Sequence, residues 1–453
     1  MPVELTVQQW QKFEGHNWWK WAVWIEGPDE ALDRIDFVEW TLHPTFPHPV
    51  RKIRDRASKF RLETGGWGGF GILARVRLRD GQQIKLHHHL ELHPLYGTQT
   101  TGSKAIAFCA DGTWDSSARN TNVYKLFKSL TLSAGQLTFY DDGAGADGNQ
   151  IWKLVGGTLG TSLWQKIKEG YTKIAHAYEA EDSLFLFGFS RGAYTARSLA
   201  GMIAVCGLPT KNFTDDLVEI AFQAYRDKDN RQSLLEKLKD CDMYPAKITM
   251  VGVWDTVGSL GIPSAIGAVD PVLYGFLDTG LHPNVLNAYH ALAIDEKRFQ
   301  FPPTLWTSSP APGQTLGQVW FCGVHSDIGG GEPDDLLGTT ALSDITLSWM
   351  MSKGAALGLQ INANVQEQYA VLYPEYALDK LHDSWNVLYG FPRVRPIDKN
   401  AALANSVLIR CQNDSSYRPE NLAFDNGVLS SQYDLVTVLG PPQTGQALQA
   451  APH

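Results

Sequence analysis

Apolar and polar positions change rhythm once along this chain. Up to about residue 95 they alternate over short segments: "WKWAVWIEG" (19–27), "IDFVEWTLH" (35–43), "KFRLETGG" (59–66), "FGILARVRLRDG" (70–81) and "QIKLHHHLEL" (83–92). Each is closed by Gly, Asp or Pro nearby. Period two marks strands with one face toward a core, so this part is expected to be a small antiparallel β-sandwich without a helix. Beyond "YGTQTTGSK" (96–104) the runs lengthen. Strand-like "KAIAFCA" (104–110), "QLTFYD" (136–141), "SLFLFGF" (183–189), "KITMVGVW" (247–254) and "GQVWFCGV" (317–324) are separated by helical spacing, as in "NTNVYKLFKSL" and "SLWQKIKEGYTKIAHAY". Alternating β and α segments imply right-handed crossovers and a mostly parallel sheet with helices on both faces. The expected class is therefore α/β, preceded by an all-β sandwich. The boundaries are a sandwich over 1–97, a linker over 98–103 and an α/β domain over 104–453.

The candidate chemistry lies where strand-like runs end. Gly188-Phe189-Ser190-Arg191-Gly192 joins an apolar run to a helical pattern, the order that a nucleophile elbow requires. Asp255 ends a later run and His325 a later one still, giving the order Ser, acid, His of the α/β-hydrolases. In that arrangement His325 takes the proton of Ser190, and Asp255 fixes the imidazole tautomer and steadies its positive charge. The backbone N–H of Arg191 is one expected oxyanion donor; the second comes from the loop at Asp111, Gly112 and Thr113. Taken singly, Asp255 reads more readily as a helix cap and His325 as a satisfied loop histidine. Three residue types in order at three strand ends favour the catalytic reading.

Composition narrows this further. A chain of 453 residues exceeds what one core usually organises, and 43% hydrophobic with 19% charged residues is an ordinary globular balance. Net charge is −9 with no long basic run, which argues against nucleic acid as a partner. Five scattered cysteines without a CxxC suggest reduced, buried thiols rather than a disulfide frame or a zinc site. No signal peptide and no transmembrane stretch are read, so synthesis in the cytoplasm is expected. No cofactor and no metal are called for; Asp111 with Asp141 and Asp142 is the only grouping that would suit a hard cation, and turn or cap roles explain those aspartates as well.

Several long blocks, in order, resemble a known family: "FCADGTWDSSARNTNV", "LFLFGFSRGAYTAR", "VGVWDTVGSLGIP", "YHALAIDEKRFQFPPTLW", "VWFCGVHSDIGGGEP" and "SVLIRCQNDSSYRPENL". They are similar to the α/β-hydrolase domain that includes phospholipase effectors of bacterial type VI secretion systems, over about residues 104 to 425. The resemblance implies a serine esterase with Ser190, Asp255 and His325 as its triad and a glycerophospholipid ester as substrate. It also implies export by that secretion system, with a secretion or immunity partner. The Gly- and Pro-bearing stretch near 258–288 reads either as a lid giving peripheral membrane contact or as an insertion packed on the sheet edge.

The first part resembles a prokaryotic YEATS domain, carried by "WKWAVWIEG", "VEWTLHPTFPHPVR", "GWGGFGILARVRLRDG" and "LHHHLEL". The resemblance implies an acyl-lysine ligand between aromatic rings, with His43, Thr45, Phe46, Gly66 and Trp67 forming the cage. Packing of the sandwich end is the other explanation for Phe46 and Trp67. In the histidine run, His87, His89, Glu91 and His93 share one strand face and His88 with Leu90 the other, which reads as a solvated face more than a metal site. Two further functions stay open: an acyl-recognition adaptor whose hydrolase-like domain is a scaffold, and a deacylase acting on a group that the first domain presents.

Overall fold

The computed structural model describes residues 5–15, 18–43, 46, 48–66, 70–90, 103–112, 120–142, 159–257, 279–299, 301–332, 341–370, 372–386 and 391–440. The chain divides into two compact units, residues 1–99 and 100–453.

Among the described residues the first unit has seven strands: β1 (Thr6–Gly15), β2 (Trp18–Glu26), β3 (Ile35–Thr41), β4 (Val50–Ile53), β5 (Leu62–Gly66), β6 (Phe70–Leu78) and β7 (Gln83–Leu90). All their pairings are antiparallel, in sheets ordered β1-β2-β5 and β4-β3-β6-β7. Alternation does the sorting. On β2, Trp19, Trp21, Val23 and Ile25 are buried while Lys20 is exposed; on β6, Ile72, Ala74, Val76 and Leu78 turn inward. The Trp40 indole N–H, inside the core, donates to the Phe60 carbonyl at 3.0 Å, so this large ring is buried without an orphaned donor. Two strands and a helix depart from expectation. β1 is a mostly polar edge strand, exposed on one face and half-buried on the other over residues 6–12, β4 has only four residues, and α1 (Asp29–Asp33) is a single turn too short for a periodicity to register.

In the second unit the strands are β8 (Ala105–Ala110), β9 (Gln136–Asp141), β10 (Ser183–Phe189), β11 (Leu208–Pro209), β12 (Met243–Tyr244), β13 (Ile248–Trp254), β14 (Asn287–Ala293), β15 (Thr315–Phe321), β16 (Ala402–Ala404), β17 (Phe424–Asp425), β18 (Val428–Leu429) and β19 (Asp434–Val436). Eight of them form one sheet, ordered β19-β16-β15-β14-β13-β10-β8-β9, with every pairing parallel. Helices α2 (Asn122–Ser129), α3 (Leu159–Ala177) and α4 (Arg191–Cys206) follow β8, β9 and β10. A parallel sheet covered on both faces needs strands apolar on both sides. β10 shows this: Leu184 and Leu186 join the core formed with α3 and α4, whereas Phe187 packs beside Trp254 and reaches the Gly252 position that Met350 also crowds.

The order of the strands decides where a ligand can sit. From β8 the chain steps outward to β9, then returns to the other side of β8 as β10 and continues through β13, β14 and β15. The direction of winding reverses between β8 and β10, and a crevice opens at the carboxyl ends of strands at such a reversal. Asp111 and Ser190 directly follow these two strands.

Candidate active site

Ser190 is the residue between β10 and α4, with φ 57° and ψ −119°. A non-glycine residue holds such a backbone only where the surroundings impose it, at a cost of about 1–3 kcal/mol. The surroundings here are two glycines. A Cβ on Gly188 would lie 2.3 Å from the Gly192 carbonyl oxygen, and one on Gly192 would lie 2.1 Å from the Ala110 carbonyl oxygen. The turn therefore closes with backbone against backbone, and α4 starts directly beside the end of β8. The Ser190 hydroxyl does not cap its own helix, its amide N–H donates to Trp254 O at 3.1 Å, and the residue is buried at the helix N-terminus. Negative charge developing there meets the positive end of α4.

One strand over, Asp255 follows β13 with φ 35° and is fully buried. His325 opens the short helix His325–Gly329 after β15. Its Nδ1 meets Asp255 Oδ2 at 2.6 Å, which leaves Nε2 directed away from the acid. Phe189, the residue before the serine, packs on the imidazole with ring centroids 4.6 Å apart, and Phe301 covers it edge-on at 5.1 Å. The structure thus joins Asp255 and His325 by a hydrogen bond, and the residue before Ser190, Phe189, packs on the imidazole. Hydrogen bonds to a nucleophile often tighten only with substrate in place.

Two groups that the sequence reading did not name complete the surroundings. Arg395, itself buried, forks onto Asp255 with Nη1 to Oδ1 at 2.7 Å and Nη2 to Oδ2 at 2.9 Å. It is held in turn by the carbonyls of Ala293 (3.0 Å) and Phe301 (2.7 Å). The Ala293 N–H also donates to Asp255 Oδ1 at 3.1 Å, so both oxygens of the acid have two partners. Glu296 accepts the His325 backbone N–H at 3.2 Å and is neutralised by Arg298, bound through Nε at 2.9 Å and Nη2 at 2.8 Å. Glu296 lies inside the block "YHALAIDEKRFQFPPTLW", but nothing in the sequence around Arg395 announces a buried guanidinium.

Electrostatics follow from these partners. Burial alone would push the Asp255 carboxyl up, but Arg395 and His325 outweigh it and hold the group well below the usual carboxylate range. Burial pulls the His325 imidazole below its ordinary value against the pull of Asp255, leaving it neutral and able to accept a proton near neutrality. A second buried histidine, His290 on β14, is driven down to about 3 by burial and by Arg197, and its Nε2 accepts the Thr256 N–H at 3.0 Å. It is a structural acceptor beneath the site.

At the end of β8, the Asp111 carboxylate accepts Thr121 Oγ1 (2.5 Å) and Tyr140 OH (2.8 Å), and the Gly112 N–H donates to its Oδ1 at 3.0 Å. Gly112 thus has its amide turned to a carboxylate, one residue past Asp111, whose carbonyl oxygen lies against Gly192 of α4. Thr113 and residues 258–278, most of the expected lid, lie outside the described residues. Asp141 pairs with Lys166, and among the described residues no three metal-ligating groups converge. All five cysteines are buried free thiols.

In the first unit Trp21, Phe46, Phe70 and His43 form a ring cluster. Phe46 and Phe70 have centroids 5.3 Å apart, Trp21 stands edge-on to both at 5.9 and 5.7 Å, and His43 meets Phe70 at 6.0 Å. Gly66 gives Phe46 its room: a Cβ there would lie 3.1 Å from Phe46 Cζ. The structure brings His43, Phe46 and Gly66 together and adds Trp21 and Phe70; Thr45 and Trp67 lie outside the described residues. His87 is exposed, and His88 Nε2 pairs with Gln9 Oε1 at 2.8 Å.

Known proteins resemble both units. Residues 104–353 match the family described as T6SS, phospholipase effector Tle1-like, catalytic domain, and residues 19–91 match the prokaryotic YEATS domain. Uncharacterized protein YEL023C of Saccharomyces cerevisiae is 29% identical over 241 residues, covering 47% of this chain and 34% of that protein. Protein AF-9 homolog of Eremothecium gossypii is 37% identical over 79 residues, covering 16% of this chain and 37% of that protein. The chain spans about a third of the length of these curated relatives. Among solved structures, the Yaf9 YEATS domain recognizing H3K122suc peptide is 27% identical and covers 20% of this chain and 71% of that one, with a TM-score of 0.17. With more than half of its residues inside the first match, the chain belongs to the family of the Tle1-like phospholipase catalytic domain and joins that domain to a prokaryotic YEATS domain.

Proposed function

We propose that this protein is a serine esterase that cleaves carboxylic esters of glycerophospholipids. Ser190 is the nucleophile, His325 the base and later the acid, and Asp255 the group that fixes the imidazole. The observation that carries the reading is the buried 2.6 Å bond from His325 to Asp255, one strand from a serine held at positive φ on a helix N-terminus. Ser190 attacks the ester carbonyl and gives its proton to His325 Nε2. The oxyanion is held by the Arg191 N–H and by an amide from Gly112 or Thr113; Gly112 would serve only after turning from Asp111. Collapse of the intermediate expels the alcohol with the proton from His325, and water then releases the fatty acid by the same steps.

The test is fluorophosphonate labelling together with fatty-acid release from phospholipid vesicles. Labelling and release both disappear in Ser190→Ala if the reading holds. Release that survives in this variant overturns it.

For the first unit, we infer binding of an acylated lysine in the cluster of Phe46, Phe70, Trp21 and His43, with Thr45 and Trp67 as the remaining cage residues. The aromatic surroundings of Gly66 support this, since a flat acyl-amide gains stacking and apolar burial between rings. Titration with acetyl- and succinyl-lysine peptides tests it, and equal affinity for unmodified lysine removes the inference. Delivery by a type VI system, as membership of the family suggests, predicts that export stops when the host's secretion sheath is deleted.

A further inference from the structure

Two segments at the rim of the site expose side chains that ordinary folding would bury. Phe391 is 93% exposed, and Val394 and Phe299 are 37% exposed each, beside the exposed Pro392. The segments are tied together, since the Arg393 backbone N–H donates to Lys297 O at 2.8 Å. The rim is also tied to the chemistry. Arg395, two residues past Arg393, grips Asp255, and Arg298, next to Phe299, stacks 3.7 Å above the Phe301 ring that covers His325.

Charge separates the explanations for such a surface. The whole chain carries −9, yet the exposed charges within these two segments are Lys297 and Arg393. Of the acids adjoining in sequence, Glu296 is buried and paired with Arg298, and the exposed Asp398 stands four residues beyond Val394. Aromatic and aliphatic side chains flanked by cations suit a boundary between anionic headgroups and acyl chains, where the rings enter the apolar layer and the cations meet phosphate.

We propose that residues 297–299 and 391–394 form a docking surface for an anionic phospholipid bilayer, holding the site against the layer that contains its substrate. This rests on the reading of the site as a phospholipase and adds how the enzyme reaches its ester. The contact proposed is peripheral; among the described residues no helix is long and apolar enough to cross a membrane.

The experiment uses the full chain carrying Ser190→Ala, so that binding is measured without hydrolysis, sedimented with vesicles of phosphatidylglycerol and phosphatidylcholine or of phosphatidylcholine alone. Binding is expected to favour the anionic vesicles. Phe391→Ser with Phe299→Ser should weaken it about tenfold, and Lys297→Glu with Arg393→Glu should abolish the anionic preference. With Ser190 restored, both pairs should hydrolyse a soluble short-chain ester within about twofold of wild type while losing activity on vesicles. Vesicle binding unchanged in the Phe pair overturns the proposal. So does a dimer, seen by light scattering, that the Phe pair dissociates while vesicle binding is absent. Wild-type protein that binds vesicles through this surface but hydrolyses no ester would instead overturn the esterase reading and leave the docking surface standing.

Discussion

At the ends of β13 and β15 the buried groups are polar and hydrogen-bonded, whereas the cluster in the sandwich is made of rings, Trp21 buried and Phe46 and Phe70 half-buried. Asp255 has four hydrogen bonds to His325, Arg395 and a backbone amide; the cluster of Trp21, Phe46 and Phe70 has shape and almost no polarity. A network of ions in low dielectric tolerates little displacement, because each member left alone bears its full desolvation cost. Rings packed edge to face tolerate exchange of one apolar neighbour for another. The first arrangement suits moving a proton between fixed atoms and the second suits admitting a flat, uncharged group.

The contrast breaks most visibly at Ser190. Ser190→Ala should lower ester hydrolysis by about 10⁴-fold or more, with circular dichroism and acyl-lysine binding unchanged. Next comes the ion network. Arg395→Ala leaves Asp255 buried and uncompensated, and calorimetry should show a loss of about 3–5 kcal/mol. The stability that the depressed Asp255 contributes is present above the ordinary carboxylate range and is lost as pH falls below it. Arg395→Gln should also move the acid limb of kcat/KM to higher pH. His325 works as the neutral base, so activity is lost as pH falls through its lowered value; Arg395 shares Asp255 Oδ2 with the imidazole, and its removal leaves that carboxylate to favour the imidazolium.

Effects in the rings should be smaller and confined to the first unit. Phe46→Ala should weaken acyl-lysine peptides about tenfold and leave hydrolysis within about twofold, as isothermal titration and a soluble-ester assay would report. Smallest of all, His87→Ala on the exposed strand face should change stability by no more than about 0.5 kcal/mol. A larger change, or loss of a bound metal ion, would reopen the reading of the histidine run.

What could be read from the sequence follows a physical line. Strands rich in Leu and Phe or in Ile and Val, such as β10 and β13, were legible, and so was the placement of Ser190, Asp255 and His325 after β10, β13 and β15, because the local pattern carries the information. β14, "NAYHALA", was not, since its small residues lack the β-branched signature and its burial comes from neighbours on both sides. β16 and β19 have three residues each and exist only as extensions of a sheet already formed. Arg395 was hidden for a related reason: a guanidinium in an irregular segment reads as solvated until the fold brings a carboxylate to it. Gly112 shows the converse, a residue placed in the expected loop whose amide points to Asp111.

The two glycines around Ser190 also bear on ancestry. Both are required by backbones that touch, at 2.3 and 2.1 Å from where a methyl would sit, and neither requirement involves a hydroxyl. A descendant that abandons chemistry and keeps the fold is free to lose the serine, yet must retain Gly188 and Gly192 to stay folded. The frame of the pentapeptide is thus a fossil of architecture, and only its central letter records whether the enzyme is still alive.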